Sequence, residues 1–301
     1  MVRSSQDGRG HCLDTTSSDR YNSIEIKPAY FWNEISMEIA TTTTVAAIDT
    51  TISTALQQIA TDEQIVILYA CESGSRAWGF PSPDSDYDVR FIYLRPLSWY
   101  LSIDDRPDTI DLPVDSLLDL NGWDLRKALK LFKGSNSVIY EWIQSPIVYQ
   151  AHSHLTTQLL ELANSYYAPR AGIHHYLNMT ISTYREHLQS DVVKLKKYFY
   201  ALRPILAAKW IVTRQTFPPM VLTMLLELIS DRQDILVEID RLLTIKSTAT
   251  EATMIPVSKI LNNFIKLEIA ACEQAVKLIP KHHVDALALD RLFQKYVLGS
   301  S

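Results

Sequence analysis

Residues 71–94 read CESGSRAWGFPSPDSDYDVRFIYL, and the fold turns on how this stretch divides. From Tyr87 to Leu94, Val89, Phe91 and Tyr93 alternate with Asp88, Arg90 and Ile92, the two-residue period of a strand with two unlike faces. Just upstream, Ile65–Ala70 is a short, nearly continuous apolar run, as in a strand covered on both sides. Cys71–Ser85 between them contains Gly74 and Gly79 and the breaker sequence Pro81-Ser82-Pro83, so it reads as a loop joining two strands.

Working outward, Ile48, Ile52, Leu56 and Ile59 recur at helical spacing and stop before Thr61-Asp62. A third strand is expected near Ser116–Asn121, followed by Gly122 and a helix capped by Asp124 that runs through Leu125, Ala128, Leu129 and Phe132. Beyond about Pro146 the strand signal fades. Segments 153–165, 170–189, 191–216, 219–243 and 257–278 carry apolar residues three and four apart. Pro169, Pro218-Pro219, Pro256 and Pro280 punctuate them, and Pro204 is expected to kink or restart the third. No internal repeat at 20 to 50 residues is visible. Residues 1–36, rich in Ser, Thr, Asp and Gly without a sustained period, read as a tail too polar to order itself, and Met37 is a second candidate start. The expected organisation is therefore a tail over 1–36, a mixed domain over 37–150 and a helical domain over 151–301.

The whole chain of 301 residues is 47% hydrophobic with a formal charge of −5, enough apolar material to exclude general disorder. An acidic balance also excludes a surface that grips nucleic acid everywhere by charge, so a polyanion must be held by a local basic strip. Cys12, Cys71 and Cys272 are too few and too dispersed for a disulfide framework or a metal knuckle. The longest apolar run, Met220–Ile229, contains Glu227 and falls short of the roughly 20 residues a membrane helix needs. With Arg3, Asp7 and Arg9 at a start that lacks an apolar segment, the expectation is a soluble, cytoplasmic protein.

The chemistry concentrates around residues 72–88. Gly74-Ser75 turns the chain straight after a buried strand, where glycine allows close backbone approach to a ligand and free amides at a helix start can receive phosphate. Asp86 and Asp88 flank Tyr87, so the strand period puts them on one face about 6 to 7 Å apart at the backbone. Two such carboxylates repel one another unless a cation intervenes. Hard oxygen ligands suit Mg²⁺ or Mn²⁺, which also bridge nucleotide phosphates. A third acid is required to hold two ions about 3.5 to 4 Å apart. Asp119 on the third strand is the choice for it, because Asp124 is better explained as a helix cap.

These residues resemble the signature of the DNA polymerase β nucleotidyltransferase superfamily: Gly74-Ser75, ten residues, then Asp86-Tyr87-Asp88. The wider text YACESGSRAWGFPSPDSDYDVRFIY, with GWDLRKALKLFKGSNSVIYEWIQSPIVY after it, is similar to the predicted nucleotidyltransferases associated with RNA repair, most clearly over residues 62–150. The resemblance implies an α+β fold, a small mixed-sheet nucleotidyltransferase domain followed by an all-helical domain. It also implies a nucleoside triphosphate donor, transfer of a nucleoside monophosphate and release of pyrophosphate. By the family pattern Gly74 and Ser75 hold the distal phosphates, Asp86 and Asp88 hold the metal ions, and Asp119 supplies the third acid. The acceptor does not come with the family; an RNA end, a protein and a small molecule all stay open, as does a nucleotide-binding regulatory module without turnover. Metal-dependent release of pyrophosphate separates enzyme from sensor.

Several other side chains compete for roles. Arg90 shares the strand face of Asp86 and Asp88, and Arg76 follows the phosphate turn, so both are candidates for the triphosphate. Lys194, Lys196, Lys197, Arg203, Lys209 and Arg214 stand against only Asp191 over residues 191–214. Within that run Lys196, Tyr200 and Arg203 fall on one helical face, a stripe suited either to a nucleotide or RNA strand or to plain solvent. A short RNA end needs no more than this strip. An EF-hand beginning at Asp84 fails, since Val89 and Arg95 stand where glycine and glutamate are required. No Walker-type phosphate loop is present. His174-His175 and His282-His283, with His152 and His154, do not make a structural zinc site, because adjacent helical residues point about 100° apart. Trp78, Trp123 and Trp142 are expected to pack the mixed domain, with Trp78 also close enough to the phosphate turn to border a nucleotide.

Overall fold

A computed structural model describes residues 38–112, 117–151, 154–282 and 284–299, with the side chains of the first helix described from residue 47. The expected tail, Cys12, Ser116, His152 and His283 lie outside the described residues. By contact, the described residues from Thr44 onward form one compact unit.

The first half runs α1 (Glu38–Asp62), β1 (Val66–Glu72), α2 (Gly74–Ala77), β2 (Tyr87–Leu94), α3 (Leu97–Tyr100), β3 (Thr109–Asp111), β4 (Leu118–Asp124), α4 (Leu125–Lys133), α5 (Ser137–Trp142) and β5 (Val148–Ala151). The second half runs α6 (Leu155–Tyr166), α7 (Pro169–His187), β6 (Val192–Lys194), α8 (Leu195–Arg214), α9 (Leu222–Leu226), α10 (Gln233–Lys246), β7 (Met254–Pro256), α11 (Lys259–Ala275) and α12 (Leu287–Val297). The protein is thus a mixed five-stranded sheet followed by a helical region.

The sheet order is β3-β4-β2-β1-β5, with β2 and β4 parallel and the other neighbours antiparallel. Its strand period works as the sequence implies. Val89, Phe91 and Tyr93 of β2, with Leu118 and Leu120 of β4, pack under Ile48, Ile52, Leu56 and Ile59 of α1. Gly122 continues that face for a steric reason, since a Cβ there would lie 2.1 Å from Cε2 of Phe91. The opposite face, which carries Ile92, packs on the helices through one buried cluster. That cluster runs without interruption from Leu68 of β1 through α4–α8 to Leu292 of α12, across the boundary expected near residue 150.

Several expected elements differ in extent. The segment 219–243 is two helices, α9 and α10, separated by a short 3-10 turn. Among the described residues after 151, the β6–β7 ribbon interrupts an otherwise helical region, and a further helix, α12, lies beyond the last expected segment. Pro204 does not restart α8, which continues through it with Leu202, Arg203, Ile205 and Leu206 buried on either side. Packing of that depth outweighs the ~3 kcal/mol a proline costs in a helix interior.

Candidate active site

β1 ends at Glu72, the chain turns at Gly74, and β2 returns beside it. The turn is tight because Ser73 N–H donates to the Asp88 carbonyl at 2.8 Å. Gly74 has φ +61°, and a Cβ on it would fall 1.9 Å from Oδ2 of Asp88. No other residue fits between the backbone and that carboxylate. Arg76 fastens the following loop: its Nε donates to the Asp86 carbonyl (3.1 Å), one terminal nitrogen donates to the Ser85 carbonyl (2.7 Å), and its guanidinium lies 3.7 Å above the Tyr87 ring.

Parallel pairing then brings in the third acid. Asp88 is the register partner of Asp119, so the two carboxylates project from the same face of neighbouring strands. Arg90 reaches back along β2 and places one nitrogen 2.9 Å from Oδ1 of Asp88 and 2.6 Å from Oδ2 of Asp119. Its other terminal nitrogen donates to the Asp119 carbonyl at 3.0 Å. The Asp88 carboxyl is held above the ordinary aspartate range by burial, with Arg90 opposing that rise and Asp119 and Asp86 adding to it. Asp86 is exposed at the mouth of this cluster.

Behind β2, Glu72 is fully buried and has both oxygens engaged. Oε1 accepts from Asp88 N–H at 2.9 Å, and Oε2 accepts a short hydrogen bond from the Tyr149 hydroxyl of β5. Burial pushes the Glu72 carboxyl up to about 7, against the pull of these two donors.

Helix α8 supplies the other wall. Tyr200 packs edge-on against Trp78 at 5.6 Å, and its hydroxyl is pushed up to about 12 by burial, then by the charges of Glu251, Asp88 and Asp86. Lys196 pairs with Glu251 at 2.6 Å. Ser75 Oγ donates to Ser85 Oγ at 3.2 Å, and Ser85 Oγ to Glu251, which places the hydroxyl beside the Gly74 turn in the same network.

A family model described as the RNA repair pathway DNA polymerase beta family matches residues 48–295. The chain belongs to that family. It is also 42% identical over 238 residues to the uncharacterized protein YcgL of Bacillus subtilis (strain 168), covering 79% of this chain and 92% of that one. Among solved structures, a nucleotidyltransferase-like protein from Exiguobacterium sibiricum 255-15 aligns over 75% of this chain and 74% of its own, with 12% identity and a TM-score of 0.28.

In this polymerase-beta-family chain the structure gathers Gly74, Ser75, Arg76, Asp86, Asp88, Arg90, Asp119, Lys196 and Tyr200 around one cluster. It does not place Arg203 there. Arg203 is 1% exposed, with a terminal nitrogen 2.9 Å from Oε1 of Glu141, Nε donating to the Met220 carbonyl and the guanidinium 4.6 Å from the Trp78 ring. Glu141 is the hub of that core, accepting from Tyr176 OH (2.7 Å) and from Trp78 Nε1 (3.1 Å) as well. Trp123 and Trp142 stack at 3.9 Å, as core residues. Asp124 caps α4, accepting from Arg126 N–H at 2.8 Å and from Tyr100 OH at 2.7 Å, so its carboxylate is used in folding. Asn136 likewise caps α5, accepting from Val138 N–H. Glu72, Tyr149, Ser85 and Glu251 were not anticipated as site residues. Glu72 was within the quoted motif, but nothing local announces that it faces inward.

Among the described residues no three His, Cys, Asp or Glu side chains are drawn together closely enough to hold an ion, and no helix is long and apolar enough to cross a membrane. A groove of about 350 Å³ lined by Tyr184, Arg185, Lys266 and Glu273, among others, lies between α7 and α11 and shares no residue with the acidic cluster.

Proposed function

We propose that this chain is a divalent-metal-dependent nucleotidyltransferase that moves a nucleoside monophosphate from a nucleoside triphosphate to an acceptor hydroxyl, an RNA end being the acceptor its family suggests. The observation that carries this reading is the register pairing of Asp88 with Asp119 against the glycine turn at Gly74. The donor set fits Mg²⁺ or Mn²⁺ in kind, being hard carboxylate oxygens. It also fits in electrostatics, because Asp88 is disfavoured as an anion by burial and by its acidic neighbours. A guanidinium already stands between two of the acids as their counter-charge. Asp86, Asp88 and Asp119 would have to draw together to hold the ions, which would supply charge neutralisation on the phosphates.

The chain's own residues do the rest. Ser75 and Lys196 receive the distal phosphates, Tyr200 borders the nucleotide, and Arg76 keeps the loop that carries Asp86 in place. Asp119, oriented by Arg90, takes the proton of the acceptor hydroxyl as its oxygen attacks the α-phosphorus in line. The new P–O bond forms as the bond to the β-phosphate breaks, and pyrophosphate leaves with the electron pair.

The test is incubation with each α-labelled triphosphate, Mg²⁺ or Mn²⁺ and total cellular RNA, with D86N and D88N in parallel. Label recovered in RNA with the parent and lost in both variants is the expected result. Equal labelling by all three proteins overturns the reading, and label recovered in protein or a small molecule redirects it to another acceptor.

A further inference from the structure

The loop between α10 and β7 directs one acidic side chain into the acidic cluster. Oε1 of Glu251 accepts from Ser85 Oγ at 3.1 Å, and Oε2 accepts from Lys196 Nζ at 2.6 Å. Ser85 Oγ in turn accepts from Ser75 Oγ at 3.2 Å and from Ser82 N–H at 2.9 Å. One carboxylate thereby gathers the hydroxyl chain of the phosphate turn and the ammonium of α8. The loop is pinned, since Glu251 N–H donates to both oxygens of Asp84, at 3.0 and 3.1 Å. A second ammonium stands beside it: Lys246, 2% exposed, donates to Ser82 Oγ at 2.5 Å.

The arrangement is electrostatically odd. Glu251 adds a negative charge near Asp88, which already has Asp119 as its register partner. Its partners, a hydroxyl and an ammonium, are the donors that a phosphate oxygen takes. Ser85 has a single proton to donate, so a carboxylate and a triphosphate oxygen cannot both take it.

We propose that Glu251 occupies the place of a phosphate group in the nucleotide-free chain, and that a nucleoside triphosphate binds by displacing it and taking over Ser85 and Lys196. This rests on the nucleotidyltransferase reading. Return of Glu251 to the same donors competes with the departing pyrophosphate, so the side chain opposes retention of product as well as entry of substrate.

Equilibrium dialysis of each of the four nucleoside triphosphates with Mg²⁺ tests the idea on the parent, E251Q and K196M. Glutamine keeps the shape and gives up the charge, so E251Q should bind about fivefold or more tighter, the low end of an ordinary coupling free energy. K196M should bind more weakly than the parent. Binding by E251Q that equals or falls below that of the parent overturns the proposal and leaves the nucleotidyltransferase reading intact. Absence of triphosphate binding by parent and E251Q, both folded by circular dichroism, overturns the two together. Should E251Q melt at a lower temperature than the parent, D84A frees the same loop with the carboxylate intact; it too should tighten binding, and unchanged or weaker binding by it counts against displacement.

Discussion

Asp88 and Asp119 are direct register partners across the parallel β2–β4 pair, so a residue that follows a glycine turn and one far along the chain present carboxylates side by side. Arg90, on the same strand face as Asp88, bonds to both. The acid pair is therefore held by strand register and by a fixed counter-charge, which leads to distinct expectations for each neighbouring residue.

Asp119 and Asp124 lie on the same strand and differ in employment. Asp119→Asn should abolish nucleotidyl transfer, by at least about 100-fold, the usual scale for losing one preorganised electrostatic group. Asp124→Asn should leave transfer near the parental rate, and Asp124→Ala should cost ~1 kcal/mol of stability through loss of the α4 cap. Single-turnover transfer and urea unfolding on the variants separate the two; loss of transfer in Asp124→Asn with Asp119→Asn active would reverse the assignment.

Gly74→Ala places a methyl group where Oδ2 of Asp88 now lies, at a backbone φ of +61°. We expect loss of transfer together with roughly 1–3 kcal/mol of destabilisation. Gly79→Ala is the control. Its φ of +89° is equally unsuited to a side chain, but the nearest atom to its Cβ is Cγ1 of Val221 at 3.4 Å. It should lose stability and keep transfer.

Removing Arg203 strips the buried Glu141 carboxylate of its ion-pair partner. Arg203→Met should cost ~3–5 kcal/mol, the usual consequence of stranding one half of a buried ion pair. Adding Glu141→Gln should restore part of that loss. Denaturant midpoints measure both. Triphosphate affinity of the folded Arg203→Met protein should match the parent, in contrast to Lys196→Met; a matching loss in both would put Arg203 back among the ligand contacts.

Glu72 predicts a pH dependence of stability. Burial raises its folded carboxyl to about 7 from an ordinary value of 4.5, so the folded state binds a proton more tightly than the unfolded state. That contribution is fully present below about 4.5 and is lost as pH rises through about 7, a range worth on the order of 3 kcal/mol. Urea unfolding of the parent in chelator at pH 5 and pH 8 should show this decline, and Glu72→Gln should lack it. A parent and variant with parallel pH profiles would refute the assignment.

Much of this site can be read from residues 65–124 because its parts are strand-borne and close in sequence. A two-residue period places Asp88 and Arg90 on one face, a glycine after a buried strand marks the turn, and Asp before Leu125-Arg126 marks a cap. Helix α8 shows where such reading stops. Periodicity groups Lys196, Tyr200 and Arg203, but a period states which residues share a stripe and is silent on where along the helix the stripe leaves solvent. The stripe enters the core by Arg203, where Glu141 awaits it from 62 positions away. Glu251 meets Lys196 across 55 positions, with no local pattern to announce it. The short strands β3, β5, β6 and β7 escaped for a related reason, since three or four residues are too few to display an alternation.

The uninterrupted buried cluster from Leu68 to Leu292 bears on how such a chain can be cut or recombined. A fragment ending near residue 150 would carry Asp86, Asp88 and Asp119 and yet strip the apolar underside of its sheet, so the sheet half is not a cassette that can be transplanted by itself. Shuffling or trimming this protein means moving the helices along with the carboxylates.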